Sequence, residues 1–432
     1  SGIKARSPQL NDKSVFLSKK YTPITIATFK SAADINLIYS SIYSPLIKTV
    51  KMESQNADLS LPIARLGEYE SLILKFDEIG EETRRYEYTI IHCNSDWTQS
   101  ELEPYEYIDG FETALIENYN NSFNTLCRYV HYEQVIPSQT MRPTKSGNYI
   151  LKVFHEGEPD NVVFTKRFYC LDQQTTASIE IKPTREPSLR NKAQEVEVVV
   201  RTIGATSLNN PYNDVKVLVQ QNGRIDNQRF LPLNESIGKE LYYRFKQENI
   251  FLGGNEFRQF DFTSLRHRTA FIENIDYVGG ENVVRLKPEQ IKTHIPYVSY
   301  SDINGAYYVR NDIGETPELG SDYAWVCFYL PTTLNLEGNY YAVGEMSQWR
   351  IGELNRFVYD SQLNCYTLKM LLKQGYYNYQ ILFRPHNSSL STTKEIEGDH
   401  FETKNTYTAF VYYRELGNNY ESLIGFTTQE VN

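Results

Sequence analysis

The sequence predicts an all-β protein built as three consecutive β-sandwich domains of immunoglobulin-like and early-set type. Three observations lead there. Short apolar segments with a period of two recur along the chain, separated by turn residues. No long 3.6-residue period lies between them, which removes a parallel α/β sheet. Aromatic residues make up 13% of the chain, 34 of them tyrosines, and such flat amphipathic side chains cover pleated sheets. At 432 residues the chain also exceeds one ordinary core, and length alone suggests about three domains.

The elements follow in order. Residues 1 to about 20 are polar and basic, and β-branched alternation predicts a strand from Tyr21 to Phe29. Leu37-Ile38-Tyr39 and Leu46-Ile47 continue it, and Ser71 to Asp77 is a strand closed by acidic turn residues. Arg85 to Cys93 places Tyr86, Tyr88 and Ile90 on one face, with Glu87, Thr89 and Ile91 on the other. Asn94-Ser95-Asp96 breaks it. Asn148 to His155 and Val162 to Cys170, joined through Glu156-Gly157-Glu158-Pro159, read as a hairpin. This first sandwich takes residues 1–172.

A polar linker, Asp172 to Thr176, opens a second sandwich expected over 173–300. Ala177 to Ile181, Gln194 to Arg201 and Val215 to Gln221 are its strands, and Asn222-Gly223 before Arg224-Ile225 is a type I′ hairpin signal. The third sandwich, 301–432, begins with a polar entry and then reads Tyr323 to Leu330, Tyr340 to Trp349, Cys365 to Met370 and Leu372 to Ile381. No fixed period recurs, so the units are not a solenoid repeat.

The net charge of −10 argues against a general affinity for nucleic acid. Arg258-Gln259-Phe260 through Leu265-Arg266-His267-Arg268 is the best local basic patch, and it reads more simply as a solvated edge strand. No apolar run approaches the roughly 20 residues of a membrane helix, so no direct membrane insertion is expected. An outer-membrane barrel is the rival for a tyrosine-rich β sequence, but regular dyad-patterned strands are missing and the chain ends Gln429-Glu430-Val431-Asn432. A start at Ser-Gly-Ile-Lys without Met is what removal of a secretory leader would leave.

Chemistry finds little support. Cys93, Cys127, Cys170, Cys327 and Cys365 contain no C-x-x-C, so neither zinc nor a thioredoxin-like motif is expected. Cys93 and Cys170 read as small core residues, and an oxidising compartment is compatible with one disulfide whose pair the spacing does not choose. His92 and Cys93 are neighbours on a strand, so their side chains leave opposite faces. No nucleophile elbow, H-E-x-x-H, EF-hand, P-loop or Rossmann fingerprint occurs. The expectation is no catalytic residue, no metal and no cofactor. Asp96, Glu101 and Glu103, with Asp109 beyond, leave a weak enzymatic reading through paired acids. Trp97, beside a turn, is expected to close a core rather than stand exposed.

Two resemblances add to this. Val343-Gly344-Glu345-Met346-Ser347-Gln348-Trp349, followed by Leu372 to Tyr379, resembles the glycogen-binding-like early-set sandwiches, with their G-x-F-N-x-W stretch before L-x-x-G-x-Y-x-Y. The resemblance implies Trp349 and Tyr377 as sugar-binding aromatics. Met346, Ser347 and the lack of a Trp after Phe383 depart from the pattern, so it implies the fold without the sugar function.

The larger resemblance spans nearly the whole chain. His92-Cys93-Asn94-Ser95-Asp96-Trp97, Tyr105 to Phe111, Asn121 to Tyr132, Ser146 to Phe154, Gly344 to Trp349 and Glu397 to Phe426, in that order, resemble the type IX secretion system plug protein family of Bacteroidetes. That resemblance implies a non-enzymatic periplasmic protein, associated with the outer membrane. It would bind the periplasmic opening of a large outer-membrane translocon barrel and seal it. It carries no residues for the docking face. The alternative is a carbohydrate-binding multi-sandwich protein.

Overall fold

The computed structural model describes residues 40–431, apart from 205, 206, 315, 333, 335 and 389. The strands expected at Tyr21–Phe29 and Leu37–Tyr39 lie outside the described residues. Within them the protein is all-β, in three sandwiches.

The first sandwich packs two sheets. One runs in the order Ser41–Ile42, Glu158–Leu171, Gly147–His155, Tyr86–Cys93, Ala114–Ile116, with Ile63–Arg65 added parallel to Glu158–Leu171. The other runs Ile47–Ser54, Leu72–Ile79, Tyr129–Ile136, Asn118–Asn121. Period-two alternation sets their faces: Tyr86, Tyr88 and Ile90 are buried in the core, as expected. Phe76 stacks flat on Tyr132 with ring centres 4.8 Å apart and meets Tyr86 and Phe164 edge-on.

The second sandwich places Thr175–Pro183, Ala193–Thr202, Glu240–Tyr243, Glu235–Ile237 and Ile250–Leu252 in one sheet. The valines at 196, 198 and 200 face those at 215, 217 and 219 across its core. Asn222 and Gly223 both take positive φ, 55° and 67°, and Arg224 N–H donates to Gln221 C=O at 3.0 Å, the geometry of a type I′ turn. The return strand is Arg229–Leu231, not Arg224-Ile225.

The opposing sheet brings a correction. Its order is Arg229–Leu231, Val215–Gln221, Thr406–Tyr413, Ser422–Glu430. Val215 to Gln221 therefore pairs with Tyr413 to Tyr407, and the last hairpin belongs to the second sandwich rather than to a unit running 301–432. The boundary at 300 also moves, because Arg258–Asp261, Ile272–Val278 and Glu281–Leu286 are strands of the third sandwich. The physical reason is hydrogen-bond completeness. The far edge of Val215–Gln221 needs a partner for its buried backbone groups, and no strand nearby in sequence supplies one.

The third sandwich is thus inserted into the second. One of its sheets runs Arg258–Asp261, Gly375–Pro385, Tyr307–Val309, with Gly338–Val343 also pairing Gly375–Pro385. The other runs Ile272–Val278, Glu281–Leu286, Tyr323–Leu330, Cys365–Lys373, Val358–Asp360. Its core stacks Phe260, Tyr377 and Tyr307, with centres 5.0 to 5.1 Å apart.

Candidate functional site

The stretch from Tyr86 to Pro137 is where chemistry would be sought, and the structure spends its buried members on the first core and on joints between sandwiches. Strand Tyr86–Cys93 ends in a tight loop in which Trp97 N–H donates to Asn94 C=O and Asn94 N–H to Thr98 C=O, both at 2.9 Å. This forces Trp97 to φ 69°, a region that bulky residues rarely occupy. Its ring repays that strain by packing. It is buried under the Arg167 guanidinium, 4.1 Å from the ring centre, and meets Tyr169 edge-on. Tyr169 stacks on Phe410 at 4.5 Å, and Leu218, Tyr412 and Leu423 of the second sandwich complete the same apolar cluster. Trp97 therefore closes a core, as expected, and that core lies between two units.

Polar groups frame this joint. Glu421, just before the last strand, accepts from Ser95 N–H at 2.9 Å and from the Ser95 hydroxyl. Its other oxygen pairs with Lys216 at 2.6 Å. Burial pushes the Glu421 carboxyl up, but Lys216 and Ser95 outweigh it and hold it below the usual range. Asn148 donates to Asn94 C=O and accepts from the Tyr412 hydroxyl, both at 2.9 Å.

His92 and Cys93 do leave opposite faces. His92 is buried between the Ser100 hydroxyl, 2.9 Å from Nδ1, and Ser146 C=O, 3.1 Å from Nε2. Gly147, at φ 149°, clears the imidazole; a Cβ there would sit 2.5 Å from Nε2. Burial drives His92 down to about 4 and the Cys93 thiol up to about 12, so neither is activated at neutral pH. Asp96 is occupied by Thr98 N–H and hydroxyl, and Asp109 pairs with Arg142. Glu101 and Glu103 are exposed. Among the described residues no three His, Cys, Asp or Glu side chains gather as metal ligands, and all five cysteines are free.

A second joint ties the first sandwich to the inserted one, and the sequence did not announce it. Asp77 is fully buried. It accepts from Lys373 and from the Tyr323 hydroxyl at Oδ2, and pairs with His131 Nδ1 at Oδ1, all at 2.6 Å. His131 Nε2 lies 3.2 Å from Glu133. Lys75 pairs with Glu318 at 2.8 Å, while Lys373 and Tyr129 donate to the Glu318 C=O. Burial works against every charge here. It pulls His131 down, yet the bonds to Asp77 and Glu133 prevail and its pKa is raised. Burial pushes Asp77 up, yet Lys373 and His131 hold it low; Lys373 is left lowered by burial. Asp322 carries the joint further, accepting from Leu126 and Cys127 N–H. Nearby, Lys51 donates to Tyr307 C=O and Lys166 to Gln348. A buried Asp and Lys almost 300 residues apart give no local pattern, so only three-dimensional placement reveals them.

The aromatics of the alternative reading lie elsewhere. Tyr377 is 1% exposed and sandwiched in the third core, so no sugar reaches it. Trp349 is half-buried at φ 56°, edge-on to Phe257, with its ring against Gly305, where a side chain would collide. The basic patch also dissolves. Arg258 lies on an edge strand but points inward, to Glu397 at 2.9 Å and to Glu289. Arg266 pairs with Asp312, and Arg268 donates to Glu273 C=O.

Residues 47–172, the first sandwich apart from its edge strand Ser41–Ile42, match the type 9 secretion system plug protein 1st domain. A crystal structure of a hypothetical protein from Parabacteroides merdae is 30% identical to this chain, covering 91% of it and 99% of that protein, with a TM-score of 0.87. The chain thus carries a domain of the type 9 secretion system plug family. No curated protein matches it. Latent PorU from Porphyromonas gingivalis and E. coli alpha-2-macroglobulin are 9% and 10% identical, over 90% and 92% of this chain and 34% and 23% of theirs. Their TM-scores, 0.14 and 0.17, carry no argument. The plug family match coincides with the sandwich whose loop residues Asn94 to Trp97 and strand residues Asp77 and His131 build both joints. Among the described residues no helix is long and apolar enough to cross a membrane.

Proposed function

We propose that this chain is a plug-family member, a non-enzymatic periplasmic protein associated with the outer membrane. It binds the periplasmic opening of the type IX translocon barrel and seals it. One observation carries the reading beyond the domain match. The distinctive residues, His92, Trp97, Tyr129 and His131, are buried in cores and joints rather than presented around an open pocket. A seal needs a body that holds its shape, and three sandwiches fastened through apolar and ion-paired joints are such a body. The inserted sandwich, in this reading, is early-set-like in fold and serves as bulk rather than as a sugar platform.

The test is purification of the tagged protein from its native envelope in mild detergent. Recovery of a giant outer-membrane barrel in near-equal amount supports the proposal. Recovery of nothing, with retention on a glucan column that Trp349→Ala abolishes, overturns it in favour of the carbohydrate-binding alternative.

A further inference from the structure

One part of the family region is not spent on joints. Between strands Tyr86–Cys93 and Ala114–Ile116 the chain leaves the sandwich as a small outcrop. It comprises the single helical turn Pro104–Tyr107 and a two-stranded ribbon, Ile108–Gly110 against Met141–Pro143. The outcrop is anchored from beneath: Tyr107 and Ile108 are buried in the first core, and Thr144 N–H donates to Tyr107 C=O at 2.9 Å. Phe111 N–H donates to Thr140 C=O at 2.8 Å, which holds the backbone that carries its ring.

On this fixed base two large rings face outward, Tyr105 at 77% and Phe111 at 68% exposure. A third exposed ring, Tyr69, joins the outcrop through Arg142, which lies 5.1 Å above it and pairs with Asp109. Beside Arg142, Tyr69 and Gln139 lies a surface hollow of about 510 Å³. Single exposed apolar residues need no explanation, but rings gathered on an anchored projection mark an interaction surface.

Charge selects the occupant. Residues 101–117 carry six carboxylates and no lysine, arginine or histidine. The nearby cations are spent: Arg142 on Asp109, and Lys145 over the Tyr420 ring. An anionic leaflet or a nucleic acid would be repelled, and a second copy of a chain with net charge −10 is a poor match. Arginine and lysine satisfy both features at once, meeting ring faces by cation–π attraction and carboxylates by ion pairing.

We propose that this outcrop is the docking surface for a protein partner presenting clustered arginine or lysine. Tyr105 and Phe111 are its anchoring rings, and Glu101 and Glu112 are part of its steering charge. The inference rests on the plug reading only for the identity of that partner.

The experiment places a photo-crosslinking phenylalanine analogue at position 105 or 111 of the full chain in its native cells, with position 354 on the inserted sandwich as reference. Leu354 is as exposed as Tyr105. The expected result is one protein crosslinked from 105 and 111 through a Lys- or Arg-bearing peptide. Glu101→Lys with Glu112→Lys should lower the yield by about fivefold or more without moving the melting temperature, as should added salt. Neither glutamate makes a side-chain bond that the fold needs. A crosslink insensitive to charge reversal overturns the surface, as does capture from 354 alone or no capture at all. A basic partner captured at 105 that is not a barrel keeps the surface and sinks the plug reading. A barrel captured only from 354 does the reverse.

Discussion

Trp97 shows how one residue can decide the relation of two domains. Its ring fills space shared by the first and second sandwiches, and its φ of 69° is tolerated only while the ring is held. Trp97→Ala should lose about 3–5 kcal/mol in chemical denaturation, the range for truncating a large buried aromatic. A loss under about 1 kcal/mol would mean the joint collapses onto the gap. His92 makes a separate prediction. Its folded pKa, about 4, lies below the unfolded value near 6.5, so the folded state takes up its proton later. Stability should therefore fall as pH drops from about 6.5 towards 4, by an amount of order 3 kcal/mol, and His92→Asn should flatten that limb. A wild-type curve equally flat over this interval would contradict the buried neutral imidazole.

At the scale of elements, strands were legible and their partners were not. Alternation marked Tyr86–Cys93, and Asn222-Gly223 marked the turn after Val215–Gln221, because both signals are written in neighbouring residues. The pairing of Val215–Gln221 with Thr406–Tyr413 bridges about 190 positions and leaves no local trace. The joint around Asp77 was hidden for the same reason, since an Asp or a Lys on a strand reads as solvated until its partner arrives. That cluster has a charge balance worth testing. Asp77, Glu133 and Glu318 meet Lys75, Lys373 and a protonated His131, three against three. Because the His131 pKa is raised, its contribution is complete below about 6.5 and is lost as pH rises through the higher folded value. Stability should decline on that alkaline side, and His131→Gln should remove the decline. Asp77→Asn should cost about 3–5 kcal/mol by stranding Lys373, whereas Asp77→Asn with Lys373→Met should recover part of it. Additive losses in that double variant would show that the two do not act as a pair.

At the scale of the molecule, chain order and spatial order disagree, and the disagreement is testable. The chain leaves the second sandwich after Ile250–Leu252 and returns at Thr406–Tyr413, and the two crossing segments are clasped together. His400 N–H donates to Gly254 C=O at 2.8 Å, and the Asn405 side chain donates to Gly253 C=O at 2.8 Å and to Gln194 at 2.9 Å. Neighbouring ends are what let one domain sit inside another. Replacing residues 257–398 with a short Gly/Ser linker should therefore leave a chain that melts cooperatively, with Trp97 still buried and blue-shifted in emission. It would bare the face around Asp77, so that variant should also carry Asp77→Asn and His131→Gln. Ending the chain at residue 405 is the opposite operation. It strips Tyr407, Val411 and Ile424 from the second core and Phe410, Tyr412 and Leu423 from the joint. At about 2–5 kcal/mol for each large side chain, the loss exceeds the 5–15 kcal/mol that holds a typical domain. The shorter cut should thus do the greater damage, with red-shifted emission and proteolysis within 175–252. If the excised chain unfolds and the truncated one survives, the last hairpin is dispensable and the second sandwich is not completed by it.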